Sequence, residues 1–380
     1  MLWLQFSSFL KMEILNGLAV HLQADVYERI RRDGRPVVMY GTGNGAEKAL
    51  CQLAARGIAV QDFFASDSFV RGQSFLGRRV LTFSEICRRY RDFIIVLGFG
   101  SDRAEVLERF ATLDAQYTVY APDLPIAGET VFDRAFYTKT YYQHTQARAR
   151  LADAPSRALF DDIIAYRLSG SIRTLLRAPA GHWSEDPRLP EQITSFADFG
   201  AYHGDTIQKL LTRYPDAQSV FAMEPDPRSF AKLKKYCQTL GCKVKLACAA
   251  AWSEQGEVSF AFGGGRSAAV VQPGITVSHV STVTSSAALS PDCFCAGAKI
   301  SLLKYDVEGA EYAALCGSIE TIRRCRPVLV VSAYHRPQDL FVLPELIASM
   351  GVAYRYYLQR DRSVPAWDIQ YLCIPEEADI

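Results

Sequence analysis

Asp198-Phe199-Gly200-Ala201-Tyr202-His203-Gly204-Asp205 is the stretch on which the fold turns. It closes an apolar run at 195–199 and opens onto a helical pattern that begins near Asp205-Thr206. Gly200 and Gly204 let the backbone pass close to a ligand with no Cβ in the way. The amides at the helix start point into the same space. A dinucleotide-binding turn spaces its glycines as Gly-x-Gly-x-x-Gly to hold a pyrophosphate. Here the spacing differs and an acid leads, which suits a ligand with a cationic amino group and a sulfonium.

The next apolar run, at 219–223, ends in Glu224-Pro225-Asp226. Glu224 follows Asp198 by 26 residues, about one strand-helix-strand step. A carboxylate at that strand tip can accept both hydroxyls of a ribose. Two acids at adjacent strand ends, with a glycine turn between them, define one ligand pocket; the plainer alternative is that both cap helices. Further strand patterns lie at 244–249, 300–304 and 328–332. Two more, at 353–358 and 369–374, flank a turn-rich stretch with Pro365 as an antiparallel pair. Residues 258–262 add an extra strand, and the Ser/Thr/Ala-rich 276–290 reads as a loop with one short strand.

The same rhythm of strand, glycine turn and helix occurs earlier. Residues 37–40 are apolar, Gly41-Thr42-Gly43-Asn44-Gly45-Ala46 turns the chain, and Ala49, Leu50, Leu53 and Ala54 have helical spacing. Strands at 60–65, 93–97 and 117–120 follow. Gly41-x-Gly43-x-x-Ala46 satisfies the dinucleotide pattern in its proper context. Gly41, Gly43 and Asn44 are therefore candidate contacts to a nucleotide or nucleotide sugar, with Asp67, and after it Asp62, as ribose partner. Such glycines also occur in parallel sheets that bind nothing, so a nucleotide site and a bare scaffold stand as equal alternatives. The fold class expected is α/β, with two doubly wound Rossmann-like domains at 35–124 and 193–380. A helical segment at 1–34 precedes them and a helical connector at 125–192 joins them.

At 380 residues the chain accommodates both. Lys and Arg number 42 against 41 Asp and Glu, which argues against a basic nucleic-acid binder. The ten cysteines form no Cys-x-x-Cys pair. Neither Cys237, Cys242 and Cys248 nor Cys293 and Cys295 have the partners that a zinc site needs. Reduced thiols and a cytoplasmic location are expected, with no zinc. No run reaches the roughly 18 apolar residues of a membrane span. The apolar opening 1–10 meets Lys11 and Glu13 with no small-residue cleavage site, which reads as an amphipathic leader helix.

Four blocks carry a family resemblance: Phe196-Ala197-Asp198-Phe199-Gly200-Ala201-Tyr202-His203-Gly204-Asp205-Thr206, Met223-Glu224-Pro225-Asp226, Lys304-Tyr305-Asp306-Val307-Glu308-Gly309-Ala310-Glu311 and Ser332-Ala333-Tyr334-His335. In this order they resemble FkbM-family methyltransferases over roughly 150–375. The resemblance implies a seven-stranded class I methyltransferase fold, S-adenosylmethionine as cofactor, and methylation of a hydroxyl, often on a carbohydrate. The partner it implies is a small-molecule or glycan acceptor. By position it gives Asp198, Gly200, Ala201, Gly204, Asp205, Glu224 and Pro225 to the cofactor. It sets Ala249, Ala250 and Ala251 near the adenine, and Asp306, Glu308 and His335 facing the methyl group. Two departures stand out. His203 occupies a position where the family has asparagine or a small polar residue, and Val283-Thr284-Ser285-Ser286 has serine where the family has an acid.

Methyl transfer from a sulfonium is an in-line displacement, so positioning supplies much of the rate. An alcohol also needs a base within hydrogen-bond reach. His335 is the favoured base, with Asp306 orienting it or the substrate. The plainer alternatives are a Lys304–Glu311 surface pair worth about 0–1 kcal/mol, Glu308 as a helix cap, and a magnesium held by Asp306 and neighbouring acids. Two rival functions remain. One is an NAD(P)-dependent or nucleotide-sugar-modifying enzyme working from the first domain, although no Tyr-x-x-x-Lys pair follows the first sheet. The other is a cofactor-binding scaffold without turnover, for which His203 and Ser286 speak.

Overall fold

The computed structural model describes residues 24–262, 268–271 and 282–376. Most of the expected helical opening lies outside them. Its described part is the helix Val26–Asp33, begun by a capping box between Asp25 and Glu28 and ended at Gly34 in the left-handed region.

Six strands follow: β1 (Val37–Tyr40), β2 (Asp62–Ala65), β3 (Ser74–Phe75), β4 (Arg78–Thr82), β5 (Ile94–Leu97) and β6 (Thr118–Tyr120). They form one sheet in the order β3-β4-β2-β1-β5-β6. All are parallel except β3, which returns against β4. β1 and β5 are apolar and buried throughout, as strands covered on both faces must be. The sequence pattern gives no strand at β3 or β4, because Arg78 and Arg79 interrupt the apolar run. Arg78 instead lays its guanidinium 4.1 Å from the Phe63 ring, a charged cover suited to a sheet edge.

The expected connector contains the helices Arg134–Lys139, Tyr141–Arg150, Ala154–Ser169 and Ile172–Arg177. Asp153 caps the longest by accepting from Ser156 N, and Gly170 ends it. Leu159, Phe160 and Ile163 of that helix are buried in one cluster with Val38 and Ile95 of the first sheet and Leu303 and Val331 of the second. The two sheets thus share a continuous core.

The remaining strands are β7 (Ser195–Phe199), β8 (Ser219–Met223), β9 (Lys243–Ala247), β10 (Ala250–Ala251), β11 (Gly256–Phe262), β12 (Ala268–Val271), β13 (Thr282–Leu289), β14 (Leu302–Tyr305), β15 (Val328–Ser332), β16 (Tyr354–Arg360) and β17 (Ile369–Pro375). Seven of them make a sheet in the order β16-β17-β15-β14-β7-β8-β9. β17 runs antiparallel to both its neighbours, and the other pairs are parallel. The other four form a small sheet, β10-β13-β11-β12. Within 276–290 the described residues contain the eight-residue strand β13 rather than a short one. Its small polar residues show no apolar period, and its register comes from pairing with β11.

All ten cysteines are free. Among the described residues no helix is long and apolar enough to cross a membrane.

Candidate functional site

β7 pairs with β8 on one side and β14 on the other, so the winding of the sheet reverses there. Ligands of open α/β sheets bind outside the carboxyl ends of the strands at such a point. Beyond β7 the chain turns through Gly200 at φ 82°. A Cβ at Gly200 would stand 1.8 Å from the Asp306 carbonyl oxygen, so only glycine lets this loop lie against the end of β14. Gly200 N and Ala201 N both donate to Met223 O at 3.0 Å. Tyr202 N donates to Glu224 Oε2 at 2.8 Å, and Asp226 N to Glu224 Oε1 at 2.9 Å. Glu224 therefore ties the loop to the tip of β8, and each of its oxygens keeps acceptor capacity for a hydroxyl. That pair of acceptors fits the two hydroxyls of a ribose. Gly204, at φ 92°, leads into the helix Asp205–Arg213, whose first residue is exposed.

Asp198 differs from a simple open carboxylate. It is wholly buried, with Lys304 Nζ 3.0 Å from its Oδ1. The same ammonium donates to Gly200 O at 3.1 Å and lies 3.7 Å from Asp306 Oδ2. Burial pushes the Asp198 carboxyl up to about 6 although Lys304 pulls it down. Lys304 opposes its own burial through Asp198 and Asp306 and stays above its ordinary value. The alternative of a Lys304–Glu311 surface pair is overturned, since both side chains are buried and paired elsewhere. Ala201 and Ala250 are also buried, the latter packed with Ala310. Ser286 Oγ donates to Pro225 O at 3.5 Å, and the His203 ring stacks on Tyr202.

Across the loop, Asp306 and Glu308 follow β14, and His335 follows β15. The structure brings these three expected residues together. His335 Nε2 is 3.6 Å from both Asp306 Oδ1 and Glu308 Oε2, and His335 Nδ1 is 3.0 Å from Glu311 Oε1. Glu311 Oε1 also accepts from Val307 N at 2.9 Å and Gly309 N at 3.4 Å. The helix starts at Glu311, and Glu308 stands outside it at φ 53°, so Glu308 is not its cap. Tyr334 Oη donates to Asp306 Oδ1 at 3.3 Å. Burial would lower the His335 ring, but Glu311, Glu308 and Asp306 raise it to about 10. Burial raises Asp306, yet Lys304 and His335 outweigh it and hold the carboxyl below its ordinary value. Burial brings Glu308 up to about 7, with His335 opposing. Sequence reasoning missed Lys304, Glu311 and Tyr334 as members of the site. The signal for Lys304 lay in strand register, because it pairs directly with Asp198 across β14 and β7.

The first glycine turn lies differently. A Cβ at Gly41 would meet the Phe99 ring at 2.6 Å, and one at Gly45 would meet Gly98 O at 2.6 Å. Gly43 and Asn44 are exposed at the start of the helix Asn44–Ala54. Asp67 Oδ1 accepts from Phe83 N at 3.1 Å, and Asp62 is bound by Arg89 and Tyr90. From this side Lys48 Nζ donates to Pro125 O at 3.3 Å, and Ala127 N donates to His335 O at 2.9 Å.

Sheet order, glycine loop and acid-lined strand ends describe a methyltransferase, and comparison supports that class. Residues 198–357 match the family model described as the methyltransferase FkbM domain. A crystal structure of a methyltransferase FkbM from Methylobacillus flagellatus is similar in fold, with TM-score 0.69 and 18% identity over 95% of this chain and 97% of that one. A precorrin-6y C5,15-methyltransferase from Geobacter metallireducens reaches only TM-score 0.31 at 12% identity, over 50% of this chain and 83% of that one. No curated protein sequence matches the chain.

Proposed function

We propose that this protein transfers a methyl group from S-adenosylmethionine to a hydroxyl of a small-molecule or carbohydrate acceptor. One observation carries the reading: the loop tied to Glu224 rests, through Gly200, directly against the Asp306 carbonyl, so the donor pocket adjoins the acid cluster. The bound cofactor supplies a methyl on cationic sulfur, open to in-line attack by an oxygen.

In this reading Glu224 accepts the ribose hydroxyls. The buried Asp198 acts through its charge and through Lys304, which also holds Gly200 O. Asp306 and Glu308, with side chains 31% and 34% exposed, meet the acceptor. His335 is fully buried, so its role is to position those carboxylates, and the acceptor proton passes to one of them rather than to the imidazole. The first sheet is assigned as scaffold, because Phe99 fills the place that Gly41 leaves open.

The test is incubation with methyl-labelled S-adenosylmethionine and a panel of nucleotide sugars and glycans. Labelled acceptor and S-adenosylhomocysteine are expected together. Cofactor binding without transfer to any hydroxyl would move the assignment to a non-catalytic scaffold.

A further inference from the structure

His335 is an unusual histidine for a protein interior. Its side chain has no exposure to solvent, yet three carboxylates surround it. The two ring nitrogens are treated differently. Nδ1 faces Glu311 Oε1 at 3.0 Å, and Glu311 is itself buried and fixed by the amides of Val307 and Gly309. Nε2 points the other way, and neither ring nitrogen has a partner of full hydrogen-bond geometry among the described residues. Ahead of it stand Asp306 Oδ1 and Glu308 Oε2, each 3.6 Å away.

These distances exceed a hydrogen bond. They are close to the separation of two donor atoms that share one ion at about 2.0–2.3 Å each. A histidine that ligates through one nitrogen almost always gives the other N–H to a carboxylate or carbonyl, and Glu311 occupies that place. The backbone contributes as well. Glu308 is held at φ 53°, a conformation that costs of order 1–3 kcal/mol outside glycine, and it carries its carboxylate back toward Nε2. Independently of Glu308, donor atoms of Asp306, Glu311 and His335 lie within 4.8 Å of one another.

We propose that Asp306, Glu308 and His335 bind one divalent cation of the magnesium or manganese type, with Glu311 orienting the imidazole. Two carboxylate oxygens suit such an ion, the imidazole nitrogen favours manganese over magnesium, and positions stay open for water or an acceptor oxygen. Coordination would lower the proton affinity of that oxygen beside the methyl donor. The use of the ion rests on the methyl-transfer reading; its presence does not.

The experiment uses the full chain stripped of metal with a chelator and then titrated with manganese(II), followed by electron paramagnetic resonance. One saturable ion per chain is expected, displaced by excess magnesium(II). Asp306→Asn and Glu308→Gln should each weaken binding at least about tenfold. A wild-type chain that leaves the signal of free manganese unchanged overturns the site, as does binding that both variants retain. The same stripped sample is titrated with S-adenosylmethionine and assayed for transfer. Full turnover with no ion bound removes the cation's part in transfer and leaves the methyltransferase reading standing, whereas ion binding without cofactor binding keeps the ion site and removes that reading.

Discussion

Lys304 Nζ stands 3.0 Å from Asp198 Oδ1 in directly paired positions of β14 and β7, and the same group reaches Gly200 O and approaches Asp306 Oδ2. One ammonium therefore links the strand under the cofactor loop to the strand that carries the acceptor-facing acids. Lys304→Met would leave Asp198 buried without its counter-charge, a loss of about 3–5 kcal/mol for a broken interior pair. Urea unfolding measures it; a loss below about 1 kcal/mol would show that the pair is not holding the two strands together.

Gly200 sets a geometric limit on the loop. Gly200→Ala places a Cβ at φ 82° and 1.8 Å from Asp306 O, so the loop must lift away from β14. The strained backbone alone costs about 1–3 kcal/mol. S-adenosylmethionine affinity should fall at least about tenfold while far-ultraviolet circular dichroism is preserved. Unchanged affinity would mean that the loop is not at the cofactor.

Cofactor binding should depend on pH through Asp198. Its carboxyl is raised to about 6 by burial, so it is charged above that value and neutral below it. Above about 6, Lys304 is balanced by Asp198 and Asp306; below, it loses the Asp198 charge and keeps only Asp306, so the pocket becomes more positive toward a cationic ligand. Affinity should be flat from about pH 7 upward and fall as pH drops through 6. A unit charge about 12 Å away, at an effective dielectric of about 20, accounts for roughly a tenfold loss, and a nearer one for more. Calorimetric titration between about pH 5 and 8 checks the sign, and a rise in affinity toward acid would contradict it.

Gly41 serves packing in this account. Gly41→Ala adds a Cβ at φ 111° and 2.6 Å from the Phe99 ring, so a loss of about 1–3 kcal/mol is expected in urea unfolding. NAD and nucleotide sugars should leave Tm unchanged. A concentration-dependent rise in Tm with either would return the Gly41–Asn44 turn to nucleotide binding.

Much of the fold is legible in the sequence. β1, β7 and β8 coincide with apolar runs that end at glycine or acid, and β15 with one that ends at Ser332, because parallel strands buried on both faces must be nearly continuous in hydrophobicity. β3 is only two residues long and β4 begins with two arginines, so neither shows an apolar run, and β13 shows none because its serines and alanines carry no period. At the site, local motifs located Glu224, Asp306, Glu308 and His335. They could not say that Asp198 is sealed beneath the loop, or that Glu311 belongs with His335 and not with Lys304. Those facts depend on strand register and on where the helix after Gly309 begins, and neither is encoded in spacing along the chain. Its place after a strand at the carboxyl edge favours His335 as base, but its full burial gives it another role.

The central claim is that the glycine loop and Glu224 together hold S-adenosylmethionine. Isothermal titration of the full chain with the cofactor, compared with Glu224→Ala, tests it most directly. The account predicts one saturable site in the wild type and an affinity at least about tenfold weaker in the variant, with thermal unfolding confirming that the variant is folded. Absence of binding to the wild type, or equal affinity in a folded Glu224→Ala chain, would contradict it.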